Sequence, residues 1–338
     1  MMVPPDLSLF YSLSLMSLGV TLIAIGIAYA LGQALQNPNF SVWAKTEVYQ
    51  VFVSFVIVVL VLFMVGLLYS VKYGDVRSLS PIDVPAYEKP GIAADDSVFD
   101  ASEKYLYNVG NVVYVEMRAS RGLYGALDVL SRYRRTPCVP AIFLCLYGPN
   151  GYSMATDIAA SSWIQGVNMS LYTDTISYLT VLVQLAFLRF IQSGGFLILL
   201  PLAIVFRSLP FFRQMGGGLM AIIIALFIIY PSLLFLESFF WNPHAMLGGE
   251  YDTLGNFGSD MDGDRVIAGV FENGLPDNYD EYSEVREMVR VQSKGAAVAF
   301  LSSTFLFSLN IIAVGASARE LGRLLGQETD LSRLMQIV

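Results

Sequence analysis

Residues 171 to 241 hold three apolar runs separated by two short breaks, Gln192-Ser193-Gly194-Gly195 and the stretch 207–218. A helix of about 20 apolar residues crosses the hydrocarbon core of a bilayer. The first run, beginning at Leu171, meets that length, and so does the third. The middle run, 196–206, is short unless its flanks are counted, and it carries Pro201. The expected form is a kinked crossing or half-crossing, hairpinned to the run before it. Lipid offers no donors or acceptors, so backbone freed by Pro201 must find partners on neighbouring helices or in a wet cavity. The segment therefore belongs inside a bundle. The fold class this predicts is all-α: a polytopic transmembrane helix bundle of about six spans, possibly seven, with amphipathic surface helices.

Charge supports the same class. Only 14% of residues are charged and 55% are hydrophobic, where soluble domains carry about 25% charged residues. The formal net charge of −8 is concentrated in residues 241–292, which hold eleven acidic side chains and three arginines. The rest is balanced and presents no general basic surface for nucleic acid. Two cysteines, Cys138 and Cys145, and one histidine, His244, give no zinc-ligand spacing. No Walker-type glycine loop occurs, so nucleotide hydrolysis by that device is excluded. No cofactor is expected. The first residues lack a basic n-region, and the apolar run after them is too long for a signal peptide, so it is expected to remain in the mature protein.

Six regions follow along the chain. Residues 1–71 contain two spans. In the first, Ser12, Gly19 and Gly26 recur every seven residues, a row of small side chains that lets another helix approach. Trp43 and Lys45 suit the lipid–water boundary ahead of the second. Residues 72–169 are extramembrane or interfacial. A linker with Pro81, Pro85 and Pro90 leads to a long amphipathic helix, whose stripe is Leu106, Val109, Val113, Met117, Tyr124, Leu127 and Leu130. Its second half carries Arg118, Arg121, Arg132, Arg134 and Arg135 against Glu116 and Asp128. Two readings stand: contact with DNA or lipid phosphate, which arginine forks match, or solvated arginines on a helix at the membrane surface. Cys138 and Cys145 can pair only if their segment is a loop, since seven helical positions put them about 10 Å apart. The sequon at Asn168 matters only if it faces outside.

Residues 170–240 form the membrane core of spans three to five, with Asp174 and Arg189 near the two ends of the third. Pro201, Arg207, Pro210 and Arg213 mark its turn and hinge, and Gly216, Gly217 and Gly218 permit close helix packing. No ionisable residue falls mid-span on this assignment, which weighs against ion-coupled pumps and transporters. The acidic loop 241–292 contains Asp260, Asp262 and Asp264 at the spacing of a calcium loop. Arg265 and Phe271 stand where that loop needs Gly and Glu, so a solvated acidic turn is the plainer reading. Span six, 293–316, carries the small-residue row Gly295, Ala299 and Ser303. The tail 317–338 reads as an amphipathic helix at the interface or on a partner.

The WAKTEVYQ approach to the second span, together with LLPLAIVFRSLPFFRQMGGGLMAIIIALFIIYP, resembles archaeal polytopic proteins of the type IV secretion class. These are similar to the inner-membrane channel subunit of conjugation machines and to the integral subunit of the crenarchaeal DNA-import system. The likeness covers the order of the six apolar stretches and is sharpest from Arg207 through Tyr230-Pro231; the two long loops match loosely. It implies a multi-pass, non-enzymatic channel subunit in the cell membrane. It further implies a homo-oligomer with lipid around it, other secretion subunits including a separate ATPase beside it, and DNA as the transported substrate. The alternatives are a small-solute permease, or a membrane scaffold of a pilus-type assembly. An intramembrane enzyme is disfavoured, since no paired catalytic residues are visible.

Arg207 and Arg213 lie in a connection short enough to follow the positive-inside bias, which puts the acidic loop outside; Arg286, Arg290 and Lys294 pull the other way. With Cys138 and Cys145 replaced by serine, Ser208→Cys is expected to resist an impermeant thiol reagent on intact cells, and Ser259→Cys to label. The reverse pattern overturns this orientation.

Overall fold

The computed structural model describes residues 7–34, 38–79, 91–132, 156–193, 199–208, 212–248 and 280–325. Arg134, Arg135, Cys138, Cys145, Pro210, Asp260, Asp262 and Asp264 lie outside them. Arg132 and Arg213 lie within helices whose side chains at those positions are not described.

The described residues are helical, with no strand among them. The helices are α1 (Leu7–Ala34), α2 (Pro38–Ser70), α3 (Tyr73–Leu79), α4 (Val98–Arg132), α5 (Thr156–Gln192), α6 (Leu199–Ser208), α7 (Arg213–Ile224), α8 (Tyr230–Phe240), α9 (Pro243–Leu247), α10 (Asp280–Phe300) and α11 (Leu306–Leu324). Five stretches are long and apolar enough to cross a membrane: Ser12–Ala34, Val51–Ser70, Ser162–Gln192, Gln214–Phe240 and Glu287–Leu324. The chain is a multi-pass membrane protein by that measure.

The middle apolar run is the exception. The described part of its helix, α6, covers ten residues, about 15 Å at 1.5 Å per residue. Pro201 sits in the first turn of α6, where its missing N–H costs no helical bond.

Pro231 acts differently. It stands in the first turn of α8, directly after a π-helical turn at Ala225–Ile229 that joins α7 to α8. An interior proline removes one ladder bond, and a π turn is a common way to absorb the resulting misfit. A second π turn, Leu301–Phe305, joins α10 to α11. There Ser302 and Ser303 donate back to the Val298 and Ala299 carbonyls at 2.7 Å, the kind of back-bonding that bends helices.

The chain forms two compact units. The first comprises Met1–Leu106, Gln184–Trp241 and Phe307–Val338, and the second comprises Tyr107–Val183 and Asn242–Leu306.

In the first unit, the buried face of α1 is Ser14, Ser17, Leu18, Thr21 and Ile25. Ser17 donates to the Pro201 carbonyl of α6 at 3.0 Å, tying α1 to α6. Ser12 and Gly26 are exposed, and a side chain at Gly19 or Gly26 meets nothing within 4 Å. Among the described residues, Gly19 and Gly26 therefore leave open space rather than a close helix contact. At Gly216 the α7 backbone rests on α6: an added Cβ falls 2.8 Å from the Ala203 carbonyl oxygen and overlaps the Arg207 nitrogen. Gly217 is also buried and Gly218 half-buried. Phe99, fully buried, stacks on Tyr69 with ring centroids 4.8 Å apart and meets Phe227 edge-on at 5.8 Å. Ser97 caps α4, accepting from the Asp100 N–H at 3.3 Å and donating to its carboxylate at 2.8 Å.

In the second unit, α4 contributes the predicted stripe. Val109, Val113, Met117 and Leu127 are buried and Tyr124 half-buried. Two clusters hold it: Val112 and Ala119 with Leu247 of α9 and Val291 and Val298 of α10, and Leu123 and Leu127 with Val167 of α5. The stripe meets protein, not a lipid surface.

Candidate functional site

The packed face of α4 in the second unit is not wholly apolar. Glu116 and Ser120 lie one helical turn apart and are completely buried. α5 brings Asp174, also completely buried, and Ser120 Oγ donates to its Oδ2 at 2.6 Å. α10 brings Gln292, whose Nε2 donates to Ser120 Oγ at 2.5 Å. Gly295, one turn further along α10, faces the Glu116 carboxylate, and a Cβ there overlaps its Oε2. Glycine is what lets the helix backbone lie against a carboxylate.

The remaining valences of this cluster are unmet. Both oxygens of Glu116, Oδ1 of Asp174 and Oε1 of Gln292 are buried with no hydrogen-bond partner among the described residues. Ser177, one turn along α5 from Asp174, is buried with its hydroxyl likewise unmet. Burial, then the charge of Asp174, pushes the Glu116 carboxyl up to about 9, only partly offset by the Gln292 amide beside it.

The helix that carries Asp174 extends further than the apolar run alone. α5 begins at Thr156, not at Leu171. Asp174 therefore lies about 18 Å along the helix axis from Ser162, where the candidate span starts. The apolar run was misread as the whole helix because its first turns, Thr156 to Ser170, are polar enough to pass for loop. Glu116 was missed for another reason: it was assigned to the arginines, although its place three residues after Val113 puts it on the buried stripe. A charged residue in register with an apolar face was the signal.

The first unit has its own polar interior. Tyr105 is buried on α4, and its hydroxyl has no partner among the described residues; burial, with the Glu237 charge nearby, raises it. Tyr230 of α8 is buried against Phe187, with ring centroids 5.1 Å apart. Ser102 of α4 donates to the Pro231 carbonyl at 3.1 Å. Arg189, expected near the end of a span, pairs with Glu103 at 2.9 Å, and Arg207 is buried. His244 is buried on α9, and burial lowers its tendency to protonate.

Among the residues singled out from sequence, Arg118 and Arg121 are exposed on α4, on the side away from Glu116 and Ser120. Gly295, Ala299 and Ser303 are buried together along α10 and its π turn. Among the described residues no group of three or more His, Cys, Asp or Glu side chains is placed to hold a metal ion. In comparison with known proteins, the chain matches no family model, no curated protein and no solved structure.

Proposed function

We propose that this protein is a channel-forming subunit, in the cell membrane, of a type IV secretion-like DNA-transfer machine that works with a separate ATPase. The sequence resemblance supports this reading, and one structural observation carries it. Arg118 and Arg121 project from α4 while the opposite face of the same helix is locked into a protein core. A rigid helix presenting guanidinium groups suits transient contact with backbone phosphates, without base preference. The uncovered apolar helices fit an assembly of several subunits, since only 28% of the Ser12–Ala34 window and 33% of Ser162–Gln192 are covered by the chain itself.

The test is DNA transfer by Arg118→Gln/Arg121→Gln at equal protein level and equal membrane fraction. Loss of charge on phosphate contacts is expected to cut transfer at least several-fold at low salt and less at higher salt, because each lost contact also removes a counterion-release contribution that salt weakens. Unchanged transfer removes DNA contact at this helix. A small-solute permease is the second reading, favoured by the buried Asp174 inside the candidate span Ser162–Gln192, since acidic groups within spans often mark ion or substrate paths.

A further inference from the structure

We propose that Glu116 and Asp174, framed by Ser120 and Gln292, form a proton-binding site in which the two carboxylates hold one proton between them. The proposal rests on the second unit alone and does not depend on what the protein transports.

The cluster is short of donors. The Ser120 hydroxyl is used on Asp174 and one N–H of the Gln292 amide on Ser120, which leaves the second Gln292 N–H and the Ser177 hydroxyl, fewer donors than the acceptors around them. Four acceptor oxygens remain, two on Glu116, one on Asp174 and one on Gln292, all buried and unmet among the described residues. Among the described residues, no lysine or arginine is buried beside them in this unit. On α4, Arg118 and Arg121 are exposed; on α10, Arg290 and Lys294 are exposed, and Arg290 is held by Glu287. On α5 the described charged group at this level is Asp174 itself. The short helix α9, packed on α10, offers His244, which burial disfavours as a cation.

Two bare carboxylates in one dry site repel each other and lose their hydration, so one of them takes a proton. A proton from water turns one carboxylate into an acid, lowers the buried charge from two to one, and supplies the missing O–H donor. The upward displacement of Glu116 to about 9 agrees with this and assigns the proton mainly to Glu116. Gly295 fits as well, since its bare backbone leaves room for the carboxyl head. The unfolded chain releases this proton in the ordinary carboxylate range, whereas the folded protein holds it higher. Stability from this group therefore falls as pH rises from that range toward about 9, then levels off.

The experiment is infrared titration of the full-length protein in phospholipid nanodiscs, following the protonated-carboxyl carbonyl band and its shift in deuterated water. A band is expected at neutral pH that disappears near pH 9 and is absent in Glu116→Gln. In Asp174→Asn it should persist, because the acid remains when its anionic neighbour is gone. Glu237→Gln, on a separate carboxyl of the first unit, should leave this component of the band in place. No such band at neutral pH, or a band indifferent to Glu116→Gln, overturns the proposal. Loss of the band on adding sodium chloride at constant pH also overturns it, in favour of a metal cation. If Glu116→Gln does not fold, the wild-type titration together with Asp174→Asn still decides. Acidification of the Asp174→Asn band below the wild-type midpoint supports the pair, and identical midpoints refute it.

Discussion

Gly295→Ala is expected to destabilise the protein, although alanine is the better helix former by about 1 kcal/mol. The added methyl overlaps the carboxyl head of Glu116, which is completely buried between α4 and α10. The end of a glutamate can usually swing away. Here it is enclosed, so the new volume must displace packed helices, at about 1–3 kcal/mol. The larger Gly295→Leu is expected to leave little folded protein. The check is a double-mutant cycle on denaturation in mild detergent, pairing Gly295→Ala with Glu116→Ala. In the Glu116→Ala background the glycine replacement should become neutral or stabilising, because the obstacle is gone and propensity alone remains. Equal effects in both backgrounds would show that the two residues do not touch.

Phe99→Ala is expected to be the most damaging single truncation in the first unit. Phe99 is fully buried, stacked on Tyr69 and edge-on to Phe227, so one ring fastens α4 to α2 and to the π turn after α7. Removing it opens a cavity that three separate elements would have to close, and large-to-small changes of this kind cost about 3–5 kcal/mol. Part of that is the ring geometry itself, worth about 0.5–1.5 kcal/mol per aromatic pair beyond area. Phe99→Leu, which keeps most of the volume, should recover more than half of the loss. The measurement is the denaturation midpoint of purified protein in detergent. A change of less than about 0.5 kcal/mol, the range of an ordinary surface substitution, would refute the role.

How much was legible in the sequence differs by kind of feature. The helical stripe of α4 was visible, because period 3.6 is written locally and does not depend on what covers the face. Residues Val109, Val113, Met117 and Leu127 are where that period puts them. Spanning length was equally local for Ser12–Ala34, Val51–Ser70 and Gln214–Phe240. The start of α5 was not, since hydropathy marks where a helix becomes apolar and is silent about where it begins.

The candidate site belongs to tertiary structure almost entirely. Ser120 and Asp174 are 54 residues apart, and Ser120 and Gln292 are 172 apart. Nothing local to any of them predicts the meeting. The row of Gly295, Ala299 and Ser303 announced a helix face that another helix approaches, but not that a carboxylate would be what lies against Gly295. The reverse holds for Gly19 and Gly26 of the Ser12 row, where an added side chain meets nothing within 4 Å among the described residues. By itself the sequence determined that the chain is helical, that most of its helices are apolar enough for a membrane, and which side of α4 is buried. These follow from side-chain period and length. Only the packing of α4 against α5 and α10 decided that Glu116 and Asp174 would be removed from water together. A charge is isolated by what surrounds it in space, and its neighbours along the chain carry no record of that.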